Sequence, residues 1–356
     1  MSKSLTVLDF FCGAGGFSEG FKQLGFDVVY GADNWNPAIQ TFKANNSDAE
    51  VVKVDVLELS ATDVPKADVI IGGPPCTEFS GSNRGGSGNV KEGMELVKRF
   101  LYYVHELKPR WWIMENVPRL LQTLPPKFRL KDLGIDKEGI FEIPKMQVFN
   151  AADFGAPQKR TRLLSGKYPN PLQTHSENPV VTLNGQKLSH WFTMRKVIES
   201  FPNPLNEPRK GKHVKDPNYN FNVTEMKLED HFGDHSIMKD EEAERNKRQK
   251  TEHPYYGKMK FPDDLDRPSR TVMATQFNAS RETMVIAMSN NGRKIIYRKP
   301  TIRECASLQC YPINYKFIGT NPTTKYKLVG NSVPVKLSMA VAKAILREAG
   351  MRTRKN

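Results

Sequence analysis

Leu5-Thr6-Val7-Leu8-Asp9-Phe10-Phe11-Cys12-Gly13-Ala14-Gly15-Gly16 is the stretch that decides the fold. Leu5–Phe11 is an apolar, β-rich run of strand length, and the glycines behind it mark a turn into a helix over Gly16–Leu24. The same alternation continues outward. Asp27–Ala32 reads as a second strand, and Pro37–Asn45 as a helix whose proline stands near its start, where a missing N–H is tolerated. Short strands are expected near Glu50–Val54 and Ala67–Gly72, and then a loop, Gly81–Val90, with four glycines and two serines. A helix near Met94–Leu107, a buried run Trp111–Met114 and strands near Lys145–Ala152 and Arg160–Ser165 complete this part. Repeated βα units with nearly continuous apolar strands imply an α/β fold: a doubly wound parallel sheet covered on both faces.

A chain of 356 residues suggests two domains, or one large domain with an insertion. Apolar residues make up 38%, enough to bury a core, which excludes disordered and fibrous classes as the main state. No run of 18 apolar residues occurs and the N-terminus carries no signal-peptide pattern, so neither a membrane span nor export is expected. The net charge is +14 but it is unevenly placed: residues 1–80 carry −6 and the remainder +20. An acidic front and a basic remainder suggest two jobs, the second involving a polyanion. Cys12, Cys76, Cys305 and Cys310 form no CxxC pair and have no histidine at zinc spacing. Neither disulfides nor a metal is expected, and a reducing cytoplasm fits best.

From Lys167 to Asp266 the alternation breaks down, because Pro, Asn, Lys and Asp punctuate every few residues. Phe201-Pro202-Asn203-Pro204 and Asp216-Pro217-Asn218 read as turns, and Met238–Lys250 as a solvated helix or a mobile loop. Regular structure returns near Arg270, and Lys336–Glu348 reads as an amphipathic C-terminal helix.

Three places carry chemistry. At the first, glycines after β-strand one let a ligand approach the backbone, and Asp33, 20 residues beyond Gly13, can accept hydrogen bonds from ribose hydroxyls. Gly13-x-Gly15-x-x-Ser18 lacks the third glycine of the dinucleotide fingerprint, and Asp9 adds a negative charge. That acidity disfavours a pyrophosphate, and with it a nicotinamide oxidoreductase, and suits the sulfonium and ammonium of S-adenosylmethionine. A glycine turn after a strand is as often only a turn.

At the second, the fourth strand ends in Gly72-Gly73-Pro74-Pro75-Cys76. Ligands of open α/β sheets bind outside the carboxyl ends of strands, so Cys76 stands where chemistry happens. Two prolines hold its approach extended, and the Ser- and Gly-rich loop after it can close over a substrate. An isolated cysteine is most often a small core residue, which is the reading for Cys12, Cys305 and Cys310. At the third, Glu115-Asn116-Val117 ends the next strand, where partial desolvation favours a neutral carboxyl able to act as an acid. Gln158-Lys159-Arg160-Thr161-Arg162 alternates, so Arg160 and Arg162 share a face, either a solvated edge or a cation for a developing oxyanion.

The order of Asp9–Gly16, Gly73-Pro74-Pro75-Cys76, Glu115-Asn116-Val117, Gln158-x-Arg160-x-Arg162 and Gly330-Asn331-Ser332-Val333 resembles the DNA (cytosine-5) methyltransferases. Arg267-Pro268-Ser269-Arg270-Thr271-Val272 and Arg303-Glu304-Cys305-Ala306-Ser307-Leu308-Gln309 resemble further blocks of that family, from Leu5 to the C-terminal helix excepting the middle. The resemblance implies a Rossmann-like methyltransferase sheet with an inserted small target-recognition domain. Residues 1–166 would form the first part of the catalytic domain, 167–320 the recognition domain with its flanks, and 321–356 a segment returning to the catalytic domain.

Its implied roles are as follows. Cys76 attacks carbon 6 of a cytosine flipped from duplex DNA, Glu115 holds or protonates ring nitrogen 3, Arg162 bonds the base oxygen and Arg160 braces the site. Asp9, Phe11, Gly13, Ala14 and Gly16 line S-adenosylmethionine, Asp33 its ribose, Asp55 its adenine amino group, and Asn34 and Val56 also belong to the pocket. Pro75, Leu96, Asn331, Ser332 and Val333 complete the pocket, and S-adenosylhomocysteine is the product. Thr77, Ser80, Ser82, Asn83 and Arg84 form a DNA-binding loop. Basic, irregular stretches such as His190-Trp191-Phe192, Gly211-Lys212-His213-Val214-Lys215 and His253-Pro254-Tyr255-Tyr256 suit groove and phosphate contacts.

The sequence departs from the family at Thr77, where Gln is usual, at Asp33, one carbon shorter than the usual Glu, and at Asn34, a position often aromatic. Serine in Gly330-Asn331-Ser332-Val333 is a mild variant. A monomer on nucleoid DNA, with a cognate restriction endonuclease as partner, is the expected setting. An RNA (tRNA) cytosine-5 methyltransferase and an inactive DNA-binding relative are the alternatives; no Cys-Phe-Thr tripeptide of the tRNA branch occurs.

Overall fold

Strand and helix alternate from Thr6 onward in the computed structural model, which describes residues 4–75, 90–182, 185–233, 236–252, 254, 258–278, 280–290 and 294–351. Contacts divide the chain into two units, residues 1–154, 161–173 and 335–356 forming the first and residues 155–160 and 174–334 the second.

The first unit opens with β1 (Thr6–Phe10), α1 (Gly16–Lys22), β2 (Asp27–Asp33), α2 (Asn36–Asn45), β3 (Glu50–Lys53) and β4 (Val69–Gly72). It continues with α3 (Val90–Leu107), β5 (Trp111–Asn116), β6 (Met146–Asn150) and β7 (Thr161–Lys167). The strands form one sheet in the order β3-β2-β1-β4-β5-β7-β6. The order reverses between β1 and β4, the position at which an open α/β sheet has its ligand crevice. Both the glycine turn after β1 and the Gly73-Pro74-Pro75 segment after β4 leave the sheet there.

The expectation of a parallel sheet holds for β1 to β5 and fails beyond them. β7 runs antiparallel to both β5 and β6. A parallel return needs a crossover of a dozen residues or more, whereas β6 and β7 are joined by the short stretch 151–160, with a single 3₁₀ turn at Ala151–Phe154. α3 begins at Val90 and not near Met94, since Gly93 interrupts the apolar repeat without interrupting the helix.

β4 and β5 are buried along their whole length, as central strands covered on both faces must be. Their core is aromatic: Phe10 stacks on Tyr103 at 4.4 Å and meets Phe100 edge-on at 6.5 Å. Gly72 makes that packing possible, because a Cβ there would lie 2.6 Å from the Phe100 ring. The C-terminal helix Val335–Glu348 closes over α1. Ser338 Oγ donates to Phe17 O, a Cβ on Gly20 would stand 2.5 Å from Ser338 Cβ, and Trp111 Nε1 donates to Glu348 Oε1 at 2.6 Å.

The second unit contains α4 (Met194–Ile198), α5 (Asp240–Thr251), α6 (Ile302–Leu308) and α7 (Pro322–Asn331), joined by short hairpins and turns. Its interior combines apolar side chains such as Val272, Met284, Ile302 and Leu308 with buried polar pairs. Arg298 grips Glu304 through two hydrogen bonds of 2.6 and 2.8 Å, and Thr301 with Glu304 closes a capping box at the start of α6. His231 bridges Thr301 Oγ1 and Pro202 O, and burial lowers its pKa. The turn at Asp216-Pro217-Asn218 forms because the Asp216 carboxylate accepts from the backbone N–H groups of Asn218 and Tyr219. Met238–Lys250 is mostly helix α5, though not simply a solvated one: Lys250 is fully buried, with Nζ 2.9 Å from Asp263 Oδ2.

Candidate active site

The turn from β1 into α1 is built on left-handed backbone. Phe11, Gly13 and Gly15 have φ of 57°, 53° and 85°, and Gly15 N donates to Cys12 O at 2.8 Å. A Cβ added at Gly13 would meet nothing nearer than Phe11 O at 4.0 Å, so the space over this residue is open. Asp33, at the end of β2, ties the turn down: Oδ2 accepts from Gly13 N at 2.9 Å and Oδ1 from Trp35 N at 2.8 Å. Each oxygen keeps a lone pair for a further donor. Burial raises the Asp33 pKa above the ordinary carboxyl value.

Asp9 lies one strand away, buried, with Ser18 Oγ donating to Oδ2 at 2.6 Å. Desolvation pushes its pKa up to about 7, opposed by the Ser18 hydrogen bond and reinforced by the Asp33 charge. Two desolvated carboxylates beside an open glycine turn form a site for a cation, and the residues present fit the sulfonium and ammonium of S-adenosylmethionine. Ala14 and Gly16 are buried in the turn, Phe11 is half-buried and Asn34 is exposed. Trp35 and Ser18 hold this site together, and neither is evident from the sequence; the Asp9-to-Ser18 spacing across the turn is the only signal for the second.

Asp55 and Val56 follow β3. Asp55 is exposed and its Oδ1 accepts from Leu57 N at 2.9 Å, while Val56 is buried. Leu96 on α3 is half-buried and Pro75 exposed.

At the ends of β5 and β7 the structure brings Glu115 and Arg162 together. Nε of Arg162 lies 2.7 Å from Oε1 of Glu115, with both side chains 12% exposed. The strand end is desolvated as expected of Glu115, and in addition a guanidinium from the antiparallel neighbour faces it. Asn116, next along β5, is buried and donates from Nδ2 to Pro74 O at 3.1 Å. Gly73 N meets Phe10 O at 3.3 Å, and a Cβ on Gly73 would stand 3.4 Å from Glu115 Oε2. The lead to Cys76 is thus held against β1 and β5 beside the ion pair. Cys76, Thr77, Ser80, Ser82, Asn83 and Arg84 lie outside the described residues. Cys12, Cys305 and Cys310 are free thiols in the core.

Arg160 and Arg162 meet different partners. The alternation assumes one continuous strand, but β7 starts only at Thr161, and Arg160 belongs to the second unit. There it is buried, donating from Nη1 to Val272 O at 2.9 Å and from Nη2 to Gly330 O at 2.8 Å. Gln158 accepts from Val272 N at 2.8 Å and donates to Gln309 Oε1 at 3.0 Å, and Gln309 in turn donates to Val329 O at 3.0 Å. Three blocks far apart in sequence, around Val272, Gln309 and Gly330, close on Gln158 and Arg160 within one unit. Ser332 joins them through Tyr311 at 2.7 Å; Val333 is buried and Asn331 exposed.

A doubly wound, mostly parallel sheet with an acidic turn after β1 and a carboxylate–guanidinium pair at the same edge fits a methyltransferase of the S-adenosylmethionine-dependent class. The chain belongs to the C-5 cytosine-specific DNA methylase family, which matches residues 5–347. It is a DNA cytosine-5 methyltransferase. Among its relatives, the type II methyltransferase M1.HphI of Haemophilus parahaemolyticus is 28% identical over 97% of this chain and 87% of its own. The type II methyltransferase M.MthTI of Methanothermobacter thermautotrophicus is 27% identical over 97% and 98%. The fold is that of the S. pombe Dnmt2 methyltransferase, 15% identical with a TM-score of 0.60 over 98% of this chain and all of that one. Among the described residues no helix is long and apolar enough to cross a membrane.

Proposed function

We propose that this enzyme methylates cytosine within a specific duplex sequence by attack of Cys76 on carbon 6 of the base. The observation that carries the reading is the Glu115–Arg162 pair beside the Gly73-Pro74-Pro75 lead, which Asn116 ties to the same strand end. When bound, S-adenosylmethionine supplies an electrophilic methyl group and leaves as S-adenosylhomocysteine. Carbon 5 of the intact ring is too poor a nucleophile to take that methyl. A bond from Cys76 Sγ to carbon 6 turns the ring into an enamine, with the electron pair moving toward nitrogen 3. As the base displaces Arg162 from it, Glu115 takes up a proton, holds nitrogen 3 and passes the proton to it as the electron pair arrives, and Arg162 donates to the base oxygen. Carbon 5 takes the methyl; water then removes its proton, the electron pair left behind expels Sγ as the thiolate, and nitrogen 3 returns its proton to Glu115 as the aromatic ring is restored. Before the base arrives Glu115 and Arg162 neutralise each other, so neither stands as an unpaired charge in a half-buried site.

The same reading places the enzyme, as a monomer, on nucleoid DNA beside a restriction endonuclease of the same specificity. Its test is covalent trapping. Duplex DNA containing 5-fluorocytosine should form a stable adduct in the presence of S-adenosylmethionine, because fluorine cannot leave carbon 5 as a proton does. Cys76→Ala should form none, and RNA of matching composition should not be trapped. Absence of an adduct on any DNA pool, with Cys76→Ala behaving as wild type, rejects the mechanism.

A further inference from the structure

In the segment after β3 that carries Asp55 and Val56, the carbonyls of Val56 and Leu59 are met by side chains of one helix, α3. Tyr103 on α3 is fully buried, with its hydroxyl 2.8 Å from Val56 O and 2.7 Å from Leu59 O. Arg99, one turn earlier, donates from Nε to Val56 O at 3.1 Å and from Nη2 to Leu59 O. Its guanidinium lies over the Tyr102 and Tyr103 rings, 4.5 and 5.0 Å from their centroids. The Tyr103 ring in turn stacks on Phe10, the last residue of β1 before the glycine turn, at 4.4 Å and 12°. The turn is closed locally as well, with Leu57 N donating to Asp55 Oδ1 and Glu58 N to Asp55 O, both at 2.9 Å.

A loop that only needed burying would be covered by aliphatic side chains. Here two carbonyls are each met by both Arg99 and Tyr103, and buried carbonyls held this way fix the direction of the residues between them. We propose that Arg99 and Tyr103 are positioning residues for the adenine end of the cofactor pocket. They register the Asp55–Val56 loop against Phe10 and so against the turn that holds the rest of the ligand. The inference rests on the reading of Asp55 as the partner of the adenine amino group.

Two ligands test it: S-adenosylhomocysteine, and S-inosylhomocysteine, in which an oxo group replaces the amino group. Calorimetry on the full chain should show the wild type preferring the first. Tyr103→Phe keeps the ring stack and deletes the hydroxyl, and Arg99→Met keeps the stem and deletes the guanidinium. Each should weaken S-adenosylhomocysteine by roughly five- to tenfold, the worth of one hydrogen bond. Each should leave S-inosylhomocysteine within about twofold on the same reckoning, so the preference collapses. Asp55→Ala should lose the same preference. If Asp55→Ala loses it while both α3 variants keep it, or if they weaken both ligands equally, the positioning role is wrong. If Asp55→Ala keeps the preference, the reading of Asp55 fails and the inference with it. The two α3 variants are made and measured separately, so failure of one to fold leaves the other to decide.

Discussion

Asp9→Asn removes the most strained charge in the cofactor turn, and its effect can be worked from the structure. Burial holds the Asp9 carboxyl at about 7, against an ordinary value of 3.8. A folded-state pKa above the unfolded one means that the folded state binds the proton more tightly. The stability contributed is fully present below pH 3.8 and is lost as pH rises through 7. A gap of about three between the two values corresponds to about 4 kcal/mol, of which about 2–3 kcal/mol falls between pH 5 and pH 8. Asn is nearly the shape of the protonated acid and still accepts from Ser18, so it is insensitive to pH. In thermal melts of cofactor-free protein, the advantage of Asp9→Asn over wild type should therefore grow from pH 5 to pH 8. At roughly 2–4 °C per kcal/mol for a domain of this size, the growth is on the order of 5–10 °C. Comparing the two proteins at each pH cancels the titrating groups that do not couple to Asp9. On the proposed reading of Asp9 as a partner of the cofactor's positive charge, the gain in stability comes with a loss of function. At pH 8 the variant should lose affinity for S-adenosylmethionine at least about tenfold more than for S-adenosylhomocysteine, which lacks the sulfonium charge. Parallel melting curves across the pH range, or equal losses for the two ligands, refute the reasoning.

Two further outcomes test other parts of the molecule. Asn116→Ala frees the Pro74 carbonyl and with it the lead to Cys76; single-turnover methylation should slow roughly 10–100-fold, the penalty for about 1 Å of misplacement. Wild-type rates in that variant would show that Asn116 positions nothing. His231→Gln tests the interior of the second unit. Burial lowers the His231 pKa, so the unfolded chain binds the proton more tightly and stability is lost as pH falls through the ordinary histidine range. The variant should melt with less acid sensitivity between pH 7 and pH 5 than wild type, and equal sensitivity would remove His231 as the cause.

The first five strands and three helices were legible because their signal is local: apolar runs of strand length, a glycine turn, a proline near a helix start. β7 was legible as a strand but not in its direction, since direction is set by the connection and not by the residues within the strand. Met238–Lys250 reads as solvated because its charges are dense; that Lys250 is buried depends on Asp263, which only the fold brings to it. In the cofactor turn the pattern marks Asp9 and Asp33 as ligand residues. It does not mark that both already hold the protein together, Asp33 through Gly13 and Trp35 and Asp9 through Ser18. Such double duty explains how an acidic turn survives without its cation: the donors that shape the loop partly offset the desolvation that raises both pKa values.

The pair Arg160 and Arg162 shows where periodicity stops being informative. A period of two assigns a common face only inside one strand, and these residues straddle the residue at which a strand and a structural unit begin. Each arginine serves a different interior. Arg162 faces a carboxylate at the site, and in the proposed mechanism that charge pair opens to an incoming base. Arg160 donates to carbonyls, Val272 O and Gly330 O, which offer no charge to exchange and fix the backbone. Partner chemistry, more than spacing, separates the two roles: a guanidinium against a carboxylate can release one bond to a substrate, and a guanidinium spread over buried carbonyls cannot do so without leaving them unsatisfied.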